Sequence, residues 1–216
     1  MIKTDKTTLI KSSGRAIFSD FLTENGFANS TLGVFDKITE LYEQINAVIN
    51  ISGLHEVDDI YVKHYLDSAF PYKHFGGDCC DVGCGGGFPT IPIAVLTGLD
   101  ITGLDGVGKK LGLIERCKAE LNINNLHSVH DRAENYAKNH KFETVCARAV
   151  AETDKALSYC APLAKPNGKI LLYKTQNDSS AKQETCKKLS TELEEIIDYT
   201  LPSTDIKRRL FVYRKL

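Results

Sequence analysis

The chain has 216 residues, of which 42% are hydrophobic and 25% are charged, the composition of an ordinary globular protein. Its 27 Lys and Arg residues nearly balance 28 Asp and Glu residues, so the net charge is -1 at pH 7. A small protein that coats nucleic acid without sequence preference needs a large positive excess. That class is excluded, although a locally basic face is not, and the length fits one large domain or one domain with a small appendage.

The seven cysteines form an odd set without a repeated paired spacing, and a chain of this length does not depend on disulfides. Cys80 and Cys84 have the wrong spacing for a zinc site, so we expect reduced thiols and no metal. The N-terminal residues contain no apolar run of signal length, and no run elsewhere approaches the roughly 18 residues of a membrane span. We therefore expect a cytoplasmic monomer with no membrane partner.

The first 75 residues have the pattern of helices. Apolar residues recur at threes and fours between residues 30 and 50, where Ser30 is the expected N-cap. A weaker amphipathic segment before it ends at Asn25-Gly26, and a short third helix is expected over residues 56–66. Residues 1–75 are thus predicted to form a helical extension packed on the domain that follows.

From residue 76 to residue 216, short apolar runs alternate with helical stretches, which is typical of a parallel sheet with helices on both faces. Two late strands without a helix between them indicate an antiparallel hairpin at the sheet edge. The predicted class is therefore α/β. The expected strands cover residues 79–82, 101–104, 127–129, 144–147, 169–173, 196–201 and 210–213, and the expected helices cover residues 88–97, 107–121, 131–138, 152–161 and 178–192.

A glycine-rich loop, Asp81-Val82-Gly83-Cys84-Gly85-Gly86-Gly87-Phe88-Pro89, follows the first expected strand and opens a helix. Glycines allow a tight turn and the close approach of a ligand, and N–H groups at a helix start can bind a polar or anionic group. A nicotinamide dinucleotide site is typically marked by Gly-x-Gly-x-x-Gly, but Phe88 occupies the position of the third glycine here. The observed Gly-x-Gly-x-Gly after an acid resembles the first motif of class I S-adenosylmethionine-dependent methyltransferases.

A second acid, Asp105, stands at the end of the next expected strand. A carboxylate there can accept hydrogen bonds from both ribose hydroxyls of either cofactor, so Asp105 favours a nucleoside without choosing between the two. A glycine-rich turn alone is often only a tight connection. The preceding acid, the spacing and Asp105 together favour a nucleoside site that includes Gly85 and Gly87.

Four stretches of the chain form a recognisable set. The first is residues 46–52, and the second is His64-Tyr65-Leu66-Asp67-Ser68. The third runs from Asp81 to Pro92. The fourth set comprises Asp105, Lys109-Lys110, Arg132-Ala133-Glu134 and Ala147-Arg148-Ala149. In this order, from about residue 35 to the C-terminus, they resemble the bacterial small-subunit rRNA guanine-N(7) methyltransferases, the RsmG or GidB family, in which the first stretch reads Asn-x-x-x-Asn-Leu-Thr.

The chain departs from the family pattern at a few positions near the expected site. Ser52 replaces a usual threonine, and Thr90 replaces a usual glycine. Thr175 replaces the glycine after Lys174, and Arg209 stands near a common histidine. These changes leave the expected cofactor site intact and cluster where rRNA would bind.

The resemblance implies a Rossmann-like sheet, mostly parallel with an antiparallel C-terminal edge strand, and S-adenosyl-L-methionine as the cofactor. It implies methylation of a guanosine in 16S rRNA, in the helix 18 loop near the decoding centre. The expected partner is 16S rRNA or the small ribosomal subunit. The cofactor contacts that it implies are Gly83, Phe88, Ala133, Glu134 and Arg148, in addition to the Gly85, Gly87 and Asp105 of the loop.

The candidate substrate contacts and two of the implied cofactor contacts lie near the expected site or on a basic stretch, and most of them have an alternative. Asn50, with Asn46, could face the site or end the helix by C-capping. Arg148 could bind a methionyl carboxylate or a phosphate, or form a surface ion pair. Glu134 could be an ordinary exposed acid at a helix start. The full substrate set is Asn50, His64, Asp67, Lys109, Lys174, Arg208 and Arg209.

His64, Asp67 and Ser68 share one helical turn, and this spacing cannot produce a hydrolase triad. We expect instead a packing network that joins the helices to the sheet and lines the pocket. Lys109 could contact RNA or remain solvated. The basic stretch around Arg208 and Arg209 could hold rRNA phosphates or blunt a sheet edge.

Methyl transfer from a sulfonium is an in-line displacement, and the N(7) lone pair of neutral guanosine carries no proton. A general base and a metal are therefore not required, and catalysis can come largely from positioning. No catalytic residue is assigned. Two alternatives stay open: a methyltransferase that acts on a small molecule or a protein, and a noncatalytic nucleoside-binding regulator.

Overall fold

The structure, a computed structural model, describes residues 13–216. Helix α1 spans Gly14–Glu24, and the hydroxyl of Ser13 caps it by accepting a hydrogen bond from the N–H of Ala16. Helix α2 spans Asn29–Ile49. The predicted N-cap of α2, Ser30, is wrong: Ala28 keeps an extended backbone and is the N-cap, so the helix begins two residues earlier, at Asn29. The part of the predicted extension in residues 1–12 lies outside the described residues.

The third helical segment is longer than predicted. It begins with α3, Val57–Asp59, continues through a π-helical stretch, Ile60–Leu66, and ends with α4, Asp67–Ala69. Aromatic contacts join it to the helices before it: the ring of Phe35 lies 4.7 Å from Phe18 and 5.0 Å from Tyr65. A short 3₁₀ turn, Tyr72–His74, then leads to the sheet.

Seven strands form one sheet in the order β3-β2-β1-β4-β5-β7-β6. The first five are parallel, and β7 pairs antiparallel with both β5 and β6. The predicted hairpin therefore forms the edge, with β6 outermost. The strands are β1 Cys79–Val82, β2 Ile101–Asp105, β3 Leu126–His130, β4 Phe142–Arg148, β5 Ala164–Thr175, β6 Thr191–Thr200 and β7 Lys207–Lys215.

The connections are mostly helical, as expected for parallel strands. The predicted helix over residues 178–192 is wrong in extent, because Asp178 closes a turn on Thr175 and β6 already begins at Thr191. The exposed acids of this outermost strand gave no apolar signal there. The helices are α5 Thr90–Thr97, α6 Gly112–Leu121 after a 3₁₀ turn at Gly108–Leu111, α7 Ala133–Tyr136, α8 Thr153–Cys160 and α9 Gln183–Leu189.

Two hydrophobic clusters cover the two faces of the sheet. One contains Phe18 and Phe35 of the N-terminal helices together with Leu171 of β5, so these helices and this face share one core. The other contains Ile170 of β5 and Leu157 of α8. Neighbouring residues of β5 thus enter opposite cores, which explains its continuous apolar run. The division of the chain at residue 76 stays a prediction.

Two further observations concern the described part of the chain. No disulfide joins the seven cysteines, six of which are buried. None of the helices within residues 13–216 combines the length and the apolar character needed to cross a membrane.

Candidate functional site

Two adjoining cavities open at the carboxyl ends of the parallel strands. The glycine-loop cavity, of about 230 Å³, is lined by Gly83, Gly106, Ala133 and Glu134 among others. The arginine cavity, of about 580 Å³, is lined mainly by charged residues. Val150, just beyond β4, lines both. The charged residues of the arginine cavity are Lys63, Asp67, Arg148, Glu152, Lys174, Asp178 and Arg208.

The backbone of the glycine loop adopts dihedral angles that residues with a side chain rarely adopt. Gly83, Gly85 and Gly87 have φ values of 70°, 53° and 92°, all in the left-handed region. A Cβ atom on Gly83 would lie 2.7 Å from a methyl carbon of Val150, and one on Gly87 would meet Ile91 at the same distance. The glycines therefore supply both the turn and the space at this end of β1.

Asp81, at the start of the glycine motif, is completely buried in β1. Its Oδ2 accepts hydrogen bonds from the N–H of Thr90 at 3.2 Å and from the Thr90 hydroxyl at 2.6 Å. Its Oδ1 has no hydrogen-bond partner in the part of the chain described here. Burial raises the pKa of this carboxyl to about 6, against the lowering effect of the Thr90 hydroxyl and of Arg148.

Asp105 braces the loop from the end of β2. Its Oδ2 accepts a hydrogen bond from the N–H of Gly85 at 2.9 Å, and its Oδ1 accepts one from Val107 at 2.8 Å. Both chain neighbours of Asp105, Leu104 and Gly106, line the glycine-loop cavity. The carboxylate thus holds the loop in shape next to that cavity, and its contact with ribose stays a prediction.

Arg148, the last residue of β4, is the centre of a hydrogen-bond network whose members could not be identified from the sequence. Its Nη1 donates to the carbonyl of Lys63 at 2.9 Å and to Asp67 at 3.2 Å. Its Nε donates to the carbonyl of Phe88 at 3.3 Å. The side chain is 15% exposed, so the surface ion pair offered as its alternative is wrong: the pair is mostly buried and joins the helical segment to the sheet.

His64 belongs to the same network. Its ring stacks on Phe88 with the centroids 4.1 Å apart, and its Nδ1 lies 3.2 Å from Nη2 of Arg148. Because a guanidinium can only donate, Nδ1 is the acceptor, and Nε2 carries the hydrogen that points to Ser52 Oγ at 3.0 Å. Burial and the Arg148 charge lower the pKa of His64 to about 3, so the ring is neutral near pH 7.

Asp67 joins two arginines from different strands. Its Oδ2 pairs with Arg148, and its Oδ1 pairs with Nε of Arg208 on β7 at 2.9 Å. The Asp67 side chain is only 7% exposed. His64 and Asp67 therefore form a network between the helices and the sheet, not a triad, as their spacing predicted.

Lys174 lies at the other side of the arginine cavity and donates a hydrogen bond to the carbonyl of Ala151. Burial lowers its pKa, against the raising effect of Asp178 and Glu152. Glu152 and Asp178 line the same cavity. Neither acid was singled out from the sequence, because each follows a strand by several residues and belongs to no recognisable motif.

Three predicted substrate residues lie elsewhere. Asn50 is exposed at the end of α2 with φ 46°, and its N–H donates to the carbonyl of Asn46, so it is a C-cap. Lys109 is exposed in the 3₁₀ turn before α6. Arg209 forms a two-bonded ion pair with Asp198 of β6. Because β7 lies inside β6, the edge-blunting role offered for this basic stretch is wrong.

The predicted cofactor residues separate into three groups. Gly83, Ala133 and Glu134 line the glycine-loop cavity, and Glu134 is exposed at the start of α7. Gly85, Gly87, Phe88 and Asp105 shape the loop beside it, whereas Arg148 lines the arginine cavity. Among residues 13–216, no group of three or more His, Cys, Asp or Glu side chains is arranged to hold a metal ion.

A mostly parallel sheet with a glycine loop after β1 and an acid at the end of β2 defines a class I S-adenosylmethionine-dependent methyltransferase. The fold is similar to magnesium protoporphyrin IX methyltransferase from Synechocystis PCC 6803 with bound cofactor, at TM-score 0.53 and 19% identity over 99% of this chain and 100% of that one. It is also similar to a structure from echinomycin biosynthesis, at TM-score 0.56 and 14% identity over 82% and 92% of the two chains.

The particular family follows from sequence. Residues 34–212 match the family described as rRNA small subunit methyltransferase G, or GidB, and the chain belongs to this family. The ribosomal RNA small subunit methyltransferase G of Lactobacillus johnsonii is 33% identical over 84% of this chain and 80% of the relative. That of Bacillus velezensis is 31% identical over 92% and 89%. The cofactor is accordingly S-adenosyl-L-methionine.

Proposed function

We propose that this enzyme methylates N(7) of a guanosine in 16S rRNA, in the helix 18 loop. One observation carries the proposal: a glycine-loop cavity adjoins a larger cavity with four cationic side chains, and Val150 lines both. A methyltransferase needs a donor site and an acceptor site that meet at one point. The four cations of the second cavity outnumber its three acids and suit a nucleotide, whose phosphates are anionic.

The residues present fit the cofactor. Gly83 leaves room beside Val150, the acids Asp105 and Glu134 stand near or in the cavity, and Asp81 keeps a buried oxygen without a partner. When bound, S-adenosylmethionine supplies an electrophilic methyl group on a positively charged sulfur. We propose that Gly83, Gly85, Gly87, Phe88, Asp105, Ala133 and Glu134 form this site.

Counting donors indicates which cations remain available for RNA. Arg148 already uses donors on Phe88, Lys63, Asp67 and His64, so its main task is to hold the site together. Lys174 has three ammonium hydrogens and gives one to Ala151 among the described residues. Arg208 uses its Nε on Asp67 and one Nη1 hydrogen on the Lys207 carbonyl. The fourth cation, Lys63, pairs with Asp59 at 2.8 Å. Lys174 and Arg208 are therefore the proposed phosphate contacts.

The reaction requires little acid–base chemistry from the protein. N(7) carries no proton in neutral guanosine, so the side chains orient the base and keep it next to Val150. Positive charge spreads over the purine ring during transfer. Glu152 and Asp178 line the arginine cavity and bring negative charge to that side.

The substrate proposed is an exposed loop because a duplex RNA major groove is too narrow for an enzyme to reach N(7). We also propose that the enzyme acts as a monomer in the cytoplasm, where small-subunit rRNA is assembled in bacteria. A net charge of -1 supports a structured target over arbitrary RNA.

The test is methyl transfer from tritiated S-adenosylmethionine to 16S rRNA and to small subunits from a strain that lacks the gene for this chain. We expect labelled 7-methylguanosine, located in the helix 18 loop by nuclease fragments and mass spectrometry. Subunits from the parent strain, which are already modified, serve as the control and should accept little label. Label in another nucleoside, or in none, contradicts the proposal.

A further inference from the structure

Thr90 stands where the resembled family usually has glycine, and its hydroxyl makes a contact that glycine cannot make. It is the first residue of α5 and is fully buried. Its hydroxyl donates to Oδ2 of Asp81 at 2.6 Å, in addition to the backbone N–H at 3.2 Å. A glycine at this position would keep only the backbone bond.

The space for this hydroxyl comes from β2. A Cβ atom on Gly103 would lie 3.2 Å from the Thr90 hydroxyl oxygen and 3.0 Å from the sulfur of Cys84. The absence of a side chain at Gly103, the residue of β2 paired with Asp81, thus leaves room for the hydroxyl beside the carboxylate. Its hydrogen bond to Asp81 therefore links the end of β1 to the start of α5, the two elements on either side of the glycine loop.

The groups around Asp81 leave its charge dependent on few partners. Oδ1 has no partner at hydrogen-bond distance among the described residues, and besides Thr90 the charge of Arg148 and the thiol of Cys146 lower the carboxyl pKa. The other titratable neighbours are neutral near pH 7, because burial raises each thiol or phenol pKa. They are Cys80 of β1, Cys84 of the loop, Cys146 of β4, Cys160 of α8 and Tyr173 of β5.

We propose that Thr90 is a positioning residue that keeps Asp81 ionised, so that the buried carboxylate attracts the positively charged sulfonium and ammonium of S-adenosylmethionine. A hydrogen bond to an ionised acceptor is stronger than one to its neutral form, so the hydroxyl favours the charged state. In a buried site that charge acts through a low dielectric. The inference rests on the proposed function only in taking the glycine loop as the cofactor site.

The sign of the pH dependence follows from the carboxyl pKa of about 6. Below that pH Asp81 becomes neutral, and binding of the cationic cofactor weakens. Loss of the hydroxyl raises the carboxyl pKa, so the weakening should begin at a higher pH. If the rise is about one unit, the ionised fraction at pH 6.5 falls about threefold.

The experiment is isothermal titration of the full chain with S-adenosylmethionine between pH 5.5 and 8, for the wild type, Thr90→Val and Thr90→Ser. Valine has the shape of threonine without the hydroxyl, and serine keeps the hydroxyl. We expect Thr90→Val to bind about threefold more weakly at pH 6.5 and close to normally at pH 8. Thr90→Ser should follow the wild type. Ionisation of the cofactor itself is common to all three proteins.

5′-Methylthioadenosine separates a charge effect from a change of loop shape, because it lacks both positive groups. Its binding should show no displaced pH profile in Thr90→Val. Three results would overturn the inference. The pH profiles of S-adenosylmethionine affinity could coincide for the wild type and Thr90→Val, or the variant could lose the same affinity at every pH. The third is a pH profile for methylthioadenosine that is displaced in Thr90→Val as the S-adenosylmethionine profile is. A wild type that binds S-adenosylmethionine at no pH would instead contradict the proposed cofactor site.

Discussion

The two cavities meet at Val150, yet they are held together by different means. The glycine-loop cavity depends on backbone: left-handed glycines set the path, and the carboxylate of Asp105 accepts N–H groups of the loop. The arginine cavity depends on side chains that are distant in sequence, with Asp67 between Arg148 and Arg208. We therefore expect substitutions in the arginine cavity to lower the free energy of unfolding of the whole chain. Substitutions in the glycine-loop cavity should mainly weaken ligand binding.

Replacing Asp67 with asparagine tests the first half of this comparison and should have the largest effect. The substitution keeps the shape but leaves two partly buried guanidinium groups without their carboxylate. We expect a loss of about 2–4 kcal/mol in the free energy of unfolding, because breaking a buried pair leaves uncompensated charge. Urea unfolding followed by circular dichroism measures it.

Asp198→Asn is the matched control for Asp67→Asn. It removes the carboxylate from another arginine pair, that of Arg209, but at an exposed position on the sheet edge. We expect its urea midpoint to stay close to that of the wild type. Equal midpoints for the two variants would show that the arginine cavity is no more important for stability than the surface.

Gly83→Ala tests the other half of the comparison. Its φ of 70° and the 2.7 Å approach of a Cβ atom to Val150 force the loop or Val150 to move. The left-handed strain costs about 1–2 kcal/mol of stability, with or without the cofactor. The displaced loop or Val150 also alters the wall of the glycine-loop cavity, so we expect at least about tenfold weaker binding of S-adenosylmethionine, which corresponds to about 1.4 kcal/mol. Calorimetric titration at pH 8 measures the change.

Gly26→Ala provides a control with the same backbone strain. Gly26 has φ 77°, but no atom of residues 13–216 comes within 4 Å of an added Cβ, and Gly26 follows α1, before α2 begins. It should lower stability by a similar amount and leave cofactor affinity unchanged. A parallel loss of affinity in both variants would mean that Gly83 acts through general stability.

The same contrast explains what the sequence could predict. The glycine loop and Asp105 are local features, because a strand end, three glycines and an acid at the next strand end define them. The partners of Arg148 could not be found this way: Lys63, His64 and Asp67 lie more than 80 residues away, and no spacing rule joins them. The resemblance singled out His64, Asp67 and Arg148, but in separate stretches that it did not join, and it did not single out Lys63.

Secondary structure follows the same division. Strand β5 is buried on both faces and is therefore an apolar run that the sequence marks clearly. Strand β6 is outermost, and its exposed acids hide its first half, so residues 178–192 were predicted as a charged helix. Hydrophobic patterns in the sequence indicate which residues are buried, so they do not reveal a strand whose residues are mostly exposed.

His64 makes the stability of the arginine cavity depend on pH. Its pKa is about 3 in the folded chain, against 6.5 for the free side chain, so the unfolded state binds the additional proton between these values. Its contribution therefore disfavours folding as the pH falls from 6.5 towards 3, by up to about 1.4 kcal/mol per pH unit. The raised pKa of Asp81 acts in the opposite direction below pH 6.

His64→Gln should flatten this pH dependence. Urea unfolding at pH 7.5, 6, 5 and 4.5 should show a smaller loss of stability at low pH for the variant than for the wild type. The comparison is made relative to each protein's own value at pH 7.5, so that the lost stacking on Phe88 cancels. Parallel pH curves would contradict a buried, neutral histidine in the network.

The smallest expected effect distinguishes Lys174, a cation of the arginine cavity, from Arg209, a cation outside it. Lys174 lines the cavity and gives one hydrogen bond to a carbonyl, whereas Arg209 is neutralised by Asp198. Only a cation whose charge is available to phosphate releases counterions when RNA binds, at a slope of roughly 0.7 per contact on a single strand. Lys174→Gln should therefore lower the slope of log affinity against log salt by about that amount for small subunits lacking the modification. Arg209→Gln should leave the slope unchanged, and the reverse pattern would move the RNA path from the arginine cavity to the outer face of β7.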